Sequence, residues 1–143
     1  MAAHAAAAAP EEACGILAGC RRPAVADVLR AIPCRNAHEG DRRRRFLIDP
    51  EHHLAAQREA REAGLEILGF YHSHPEGGAA PSEEDRRQAH PWVSNLILAC
   101  RGGAPAGARS WRLAGDGGWT EEPVSVAGVT GAGLRASEPA DGC

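Results

Sequence analysis

Short apolar runs, each closed by glycine, proline or charged residues, most tightly limit how this chain can fold. Residues 14–19 form a glycine-bounded apolar run of strand length, and 25–33, 45–48, 66–71, 94–100, 110–113 and 119–126 repeat the pattern. Helical signals fall between them. Residues 2–9 are almost all alanine, the best helix former. Asp49-Pro50 marks a helix start, with proline in the first turn, and 51–63 places Leu54, Ala55, Ala56, Ala60 and Ala63 near one face before Gly64 stops the helix. Ser82 opens a third, short helix over 82–90, ended near Pro91. Loops are expected at 36–41, 75–81 and 101–107, and Gly115-Asp116-Gly117-Gly118 forms a turn. Strands interleaved with helices in mixed order predict an α+β (α/β-like) fold, a single mixed β-sheet flanked by helices.

The core available to that sheet is small. Alanine supplies 29 of the residues in the 43% hydrophobic fraction, which leaves 33 larger apolar residues or cysteines. That suffices for one domain, expected over residues 1–127. Residues 128–143 are rich in glycine, alanine, serine and proline with little to bury, and are expected to be a disordered tail. No run approaches the ~20 apolar residues that cross a bilayer. The N-terminus lacks the basic segment of a secretory signal. A net charge of -3 argues against a general nucleic-acid binder. Five cysteines, odd in number and without a CxxC pair, suit a reducing cytoplasm. All sixteen basic residues are arginine, which fits the codon bias of a GC-rich genome better than a functional demand.

The densest chemistry is Tyr71-His72-Ser73-His74-Pro75 followed by Ser82-Glu83-Glu84-Asp85. His72 and His74 stand two apart at the end of an apolar strand, so both imidazoles can point the same way. Two imidazoles and one carboxylate are a common catalytic zinc shell, and Asp85 is the natural third ligand. Blander readings exist for each piece. His-Ser-His could belong to a surface loop, Ser82-x-x-Asp85 matches a helix capping box, and Glu11-Glu12 could be solvated carboxylates.

Taken together, His72-x-His74, seven residues, Ser82, two residues and Asp85 resemble the signature of the JAMM (MPN-plus) metalloproteases. Glu12-Ala13-Cys14-Gly15-Ile16-Leu17 resembles that family's upstream glutamate before a glycine-bounded strand, and Gly69-Phe70-Tyr71 and Pro75 fit as well. The resemblance covers roughly residues 10–126. It implies a JAMM/cytidine-deaminase-like core and one Zn2+ per chain, held by His72, His74 and Asp85. It makes Glu12 the general base, with only the family register choosing it over Glu11. Ser82 would stabilise the oxyanion rather than cap a helix. The implied activity is a zinc-dependent metallopeptidase or isopeptidase. Short bacterial members look like partners of ubiquitin-like sulfur-carrier proteins, whose Gly-Gly tail would be the substrate.

Two alternatives remain at this stage: a non-catalytic JAMM-like module that binds a ubiquitin-like partner, and another zinc hydrolase on the same scaffold. The P-C-x-x-C element typical of deaminases is absent. Only ten residues precede Glu11, where relatives carry a strand and a full helix, so part of the core is expected to be missing or the start to lie further upstream. Arg42 to Arg45 is a solvated loop or a surface for an acidic carrier. His38 and His90 could flank the cleft, His52 and His53 are expected at the surface, Cys14 is expected to be a small buried residue, and Trp92, Trp111 and Trp119 to pack in the core or at its rim.

Overall fold

The computed structural model describes residues 1–126, so the expected tail at 128–143 lies outside the described residues. The elements run α1 (Ala2–Ala8), β1 (Cys14–Arg21), β2 (Ala26–Cys34), α2 (Pro50–Glu62), β3 (Glu66–His74), α3 (Glu83–Gln88), β4 (Ser94–Arg101), β5 (Ala104–Leu113) and β6 (Trp119–Glu122). The strands form one six-stranded sheet in the order β2-β1-β3-β4-β5-β6. Only β3 and β4 are parallel, and the crossover between them carries α3; every other neighbouring pair is antiparallel. This is the expected mixed sheet with helices.

Each face of the sheet holds its own cluster. Leu17, Tyr71, Leu96 and Leu98 pack with Ala5 and Ala8 of α1, and Ile16, Ile32, Ile67 and Phe70 pack with Ala56 of α2. Alternation along β1 explains the split, since Ile16 and Leu17 point to opposite faces. Both helices approach through alanines, so the alanine-heavy composition serves close helix-to-sheet contact. Ile67 and Phe70 share a face despite their odd spacing because the β1–β3 register slips between Leu17 and Ala18, which leaves Leu68 as the extra residue. Tyr71 is fully buried, with its ring across Gly15. A Cβ at Gly15 would lie 2.4 Å from that ring and 2.4 Å from the Ile32 carbonyl oxygen. The Tyr71 hydroxyl meets His4 Nδ1 at 2.9 Å and so ties α1 to the sheet.

Helix α2 follows the sequence reading at both ends. Asp49 caps it by accepting from the Glu51 and His52 amides, Pro50 opens it, and Gly64 lies just past its end at φ +68°. Its buried stripe is narrower than expected: Ala56 and Ala60 face the sheet, whereas Leu54, Ala55 and Ala63 are exposed. Leu54 is two residues from Ala56, about 200° around a helix, and therefore turns outward.

Three further expectations are corrected. Residues 45–48 are not a strand; Ile48 makes only an isolated bridge to Asn36. The Asn36 side chain takes the Arg45 carbonyl and the Leu47 amide, groups a strand would give to a ladder. Residues 101–107 are not a loop. Gly102 and Gly103, at φ +57° and +77°, turn the chain in two residues, so β5 begins at Ala104 opposite Arg101. Trp92 packs nowhere; it is 72% exposed at φ +73°. Trp111 and Trp119 are half-buried, as rim residues should be.

Candidate metal centre

The β1–β3 register builds the site. Cys14 pairs with His72, and Ala13 continues the register opposite Ser73 just outside the strand. The Ser73 amide donates to the Ala13 carbonyl at 2.9 Å, and the Ala13 amide donates to Ser73 Oγ at 2.9 Å. The next step of an antiparallel register sets Glu12 beside His74. Strand alternation sends Ser73 into the interior of one face and His72 and His74 to the other.

Across the cleft, the start of α3 delivers the carboxylate. Ser82 Oγ accepts from the Asp85 amide at 3.1 Å, and the Ser82 amide donates to Asp85 Oδ2 at 2.6 Å, a full capping box. Asp85 Oδ1 lies 3.1 Å from His72 Nε2, and Oδ2 lies 3.3 Å from His74 Nε2. The two Nε2 atoms stand 3.1 Å apart. Ligand atoms of a tetrahedral zinc, at ~2.0–2.1 Å from the ion, lie ~3.3 Å from one another. The nitrogen–nitrogen separation is close to that value, and a different oxygen of Asp85 faces each nitrogen at a similar distance; among the described residues these three side chains form the one cluster able to hold a metal.

The tautomer fits as well. His74 Nδ1 lies 2.7 Å from the Gly78 carbonyl oxygen, which can only accept, so Nδ1 carries a proton; in the neutral ring Nε2 is then the nitrogen with the lone pair, and in the charged ring it donates to Asp85. Phe46 stacks on His72 with centroids 4.5 Å apart and planes 23° from parallel. Two Nε2 atoms facing each other with a carboxylate beside both call for a shared proton or a cation. The donor set, two nitrogens and one oxygen, suits a borderline ion such as zinc.

Glu12 is 5% exposed. Burial pushes its carboxyl up to about 8; His74 pulls against that shift, and Asp85 and Asp41 add to it. A cation among the three ligands would oppose the rise and keep Glu12 ionised. Burial acts against the charge on both imidazoles. It prevails at His72, held below its ordinary value, whereas at His74 hydrogen bonds to Asp85 and the Gly78 carbonyl outweigh it and raise the ring. At Asp85 burial is likewise overcome by hydrogen bonds from both imidazoles, and the carboxyl lies well below the usual range. Of the two adjacent acids, Glu12 is the buried one that senses this centre; Glu11 is exposed, with Arg42 at 3.9 Å.

Ser82 departs from expectation in one respect, because it does cap α3. The bond uses an oxygen lone pair, so the hydroxyl proton stays free to donate. His90 meets Phe70 at 6.0 Å, whereas His38 accepts from the Gly40 amide in the neighbouring loop. Arg42 to Arg45 are exposed, and Cys14 is fully buried. The sequence reading missed Ser73, Phe46 and Asn36. Ser73 could have been found from its place between two histidines facing the other way.

A mixed sheet that carries His-x-His at the end of a central strand, an aspartate at the next helix and a buried glutamate just before the neighbouring strand defines a JAB-type domain. Residues 1–114 match the family described as prokaryotic homologues of the JAB domain, and the chain belongs to that family. It is 35% identical to the desampylase of Haloferax volcanii over 102 residues, which is 71% of this chain and 70% of the relative. It is 36% identical to the CysO-cysteine peptidase of Mycobacterium tuberculosis over 128 residues, covering 88% and 84%. A solution structure of a protein from Desulfitobacterium hafniense superposes with a TM-score of 0.75 at 38% identity, covering 85% of this chain and 82% of that one.

Proposed function

We propose that this chain is a zinc-dependent peptidase that hydrolyses the amide bond following the C-terminal Gly-Gly tail of ubiquitin-like, sulfur-carrier-type proteins. His72, His74 and Asp85 hold one zinc per chain. The observation that carries the reading is the convergence of two imidazole nitrogens 3.1 Å apart with a carboxylate oxygen facing each, beside a buried glutamate. When bound, zinc supplies Lewis acidity at the scissile carbonyl and lowers the pKa of water to ~7.

The side chains divide the remaining work. Glu12 takes the proton of the attacking water and later delivers it to the leaving amine. Ser82 donates its free hydroxyl proton to the developing oxyanion; losing one such donor costs ~2.7–4 kcal/mol in the transition state. Gly78 fixes the His74 tautomer through its carbonyl. The names of the desampylase and the CysO-cysteine peptidase support a conjugate or adduct of a small carrier as substrate. Glycine suits a tail that must lie close to such a centre, since it has no Cβ. An extended tail could add to the sheet as a further strand. We place the protein in the cytoplasm, a reading that rests on the odd number of cysteines and the lack of a CxxC pair in the sequence. Among the described residues no helix is long and apolar enough to cross a membrane. Residues 1–127 are read as the catalytic domain, short at its N-terminus relative to the family.

The test is to incubate the zinc-loaded protein with a carrier extended by several residues beyond Gly-Gly. Zinc-dependent release of the extension is expected. Intact carrier after long incubation with zinc-replete protein would overturn the proposal.

A further inference from the structure

One side chain joins both ends of the loop over residues 36–48, beside a main-chain bond from the Ala37 amide to the Leu47 carbonyl at 2.7 Å. Asn36 Nδ2 donates to the Glu12 carbonyl at 3.1 Å and to the Arg45 carbonyl at 3.1 Å. Asn36 Oδ1 accepts from the His38 amide at 3.1 Å and from the Leu47 amide at 3.1 Å. A carboxamide has two donors and two acceptor sites, and here all four are used. The reverse orientation of the amide would point hydrogens at two amides and oxygen at two carbonyls, so the network fixes the assignment. The two loop groups it grips, from Arg45 and Leu47, flank Phe46, whose ring stacks on His72. The third group belongs to Glu12. The Glu12 amide donates to the Arg42 carbonyl at 2.8 Å, which ties the same loop to the same residue again.

From this we infer that Asn36 is a positioning residue of the catalytic centre. It couples the backbone of Glu12 to the loop that presses Phe46 against His72, so a single side chain sets both the base and one metal-ligand imidazole. The inference rests on the roles assigned to Glu12 and His72 in the proposed function. No aliphatic residue could replace it, because four main-chain groups would lose their partner at once. Aspartate is the informative substitution: it keeps both acceptor sites and loses both donors, the two bonds that reach Glu12 and Arg45.

The full chain is compared as wild type, Asn36→Asp, Phe46→Leu and Phe46→Tyr. Each is assayed well below its Tm with rates normalised to bound zinc. The first readout is the His72 ring proton signals by NMR, with and without zinc and without substrate. The shielding that the stacked Phe46 imposes on His72 is expected to fall in Asn36→Asp and Phe46→Leu and to persist in Phe46→Tyr. The second readout is kinetic. Asn36→Asp is expected to lose about 10–100-fold in kcat, the usual loss when a ligand's supporting partner is removed, with KM little changed. A purely structural role would lower Tm and leave both the ring signals and the kcat of the folded protein unmoved, and that result overturns the inference. If Asn36→Asp does not fold, Asn36→Ser, with one donor and one acceptor, is read the same way. If the wild type cleaves nothing, the proposed function falls and the ring signals alone decide the positioning role.

Discussion

Ser73 and Ala13 exchange two hydrogen bonds of 2.9 Å, one from backbone to backbone and one from the Ala13 amide to Ser73 Oγ. The side chain stands in for a ladder partner where β1 has ended, and so carries the register one step further, to Glu12 opposite His74. Ser73→Ala would leave the Ala13 amide unpaired in a fully buried position. Such a group costs ~1–3 kcal/mol, to be read as a lower urea midpoint with unchanged m-value. Threonine keeps the acceptor and is expected to retain more stability than alanine.

Metal binding is expected to depend on all three ligands. His74→Ala and Asp85→Asn should bind little zinc, and chelation of the wild type should lower its Tm. Linkage gives the scale, about 4 kcal/mol at free zinc ~1,000 times Kd. Asp85→Asn has a second effect that His74→Ala lacks, because Asp85 also closes the capping box of α3. Circular dichroism of the metal-free variants separates the two effects.

Asp49 supplies an acid-sensitive lock at the start of α2. The hydrogen bond from Arg35 Nε, at 2.8 Å, is the first cause of its lowered carboxyl, helped by the Glu51 and His52 amides and opposed by burial. Its folded value is depressed, so its contribution is present above the unfolded value of ~3.9 and is lost as pH falls through the folded value. Asp49→Asn should therefore lower Tm at pH 7 and flatten the decline of Tm below pH ~4. Thermal melts across that window check both.

Cys14 and Cys34 face each other across β1 and β2, and both are buried. Burial pushes their thiols up to about 12 and about 11. Neither is expected to react with iodoacetamide in the native protein at pH 7.5, and both should react in urea. Mass spectrometry of the two digests reads the difference.

Much of this was legible in the sequence, and the rest was not for identifiable reasons. The motif from His72 to Asp85 fixes ligand types and spacing, and local alternation puts the imidazoles together. Helix α2 carries explicit start and stop residues at Asp49, Pro50 and Gly64. Glu12 could be told from Glu11 only through a long-range register, which depends on Ser73. Phe46 sits in a run with strand character, yet Asn36 claims the backbone groups a strand would need. In sequence the capping and donor roles of Ser82 exclude one another only in appearance, because its hydroxyl can accept one bond and donate another. The exposure of Leu54 and Trp92 reflects which helix stripe and which turn the sheet can accept, and no local pattern states that.

The central claim is most directly tested in Glu12→Gln. The substitution keeps the shape and the fold but removes the carboxylate that moves the proton. Zinc content and cleavage of a Gly-Gly-extended carrier are measured on the same preparations of variant and wild type. The variant is expected to hold as much zinc as the wild type and to lose about 10²–10⁴-fold in turnover. Near-normal turnover by zinc-loaded Glu12→Gln would contradict the assignment of Glu12 as the base.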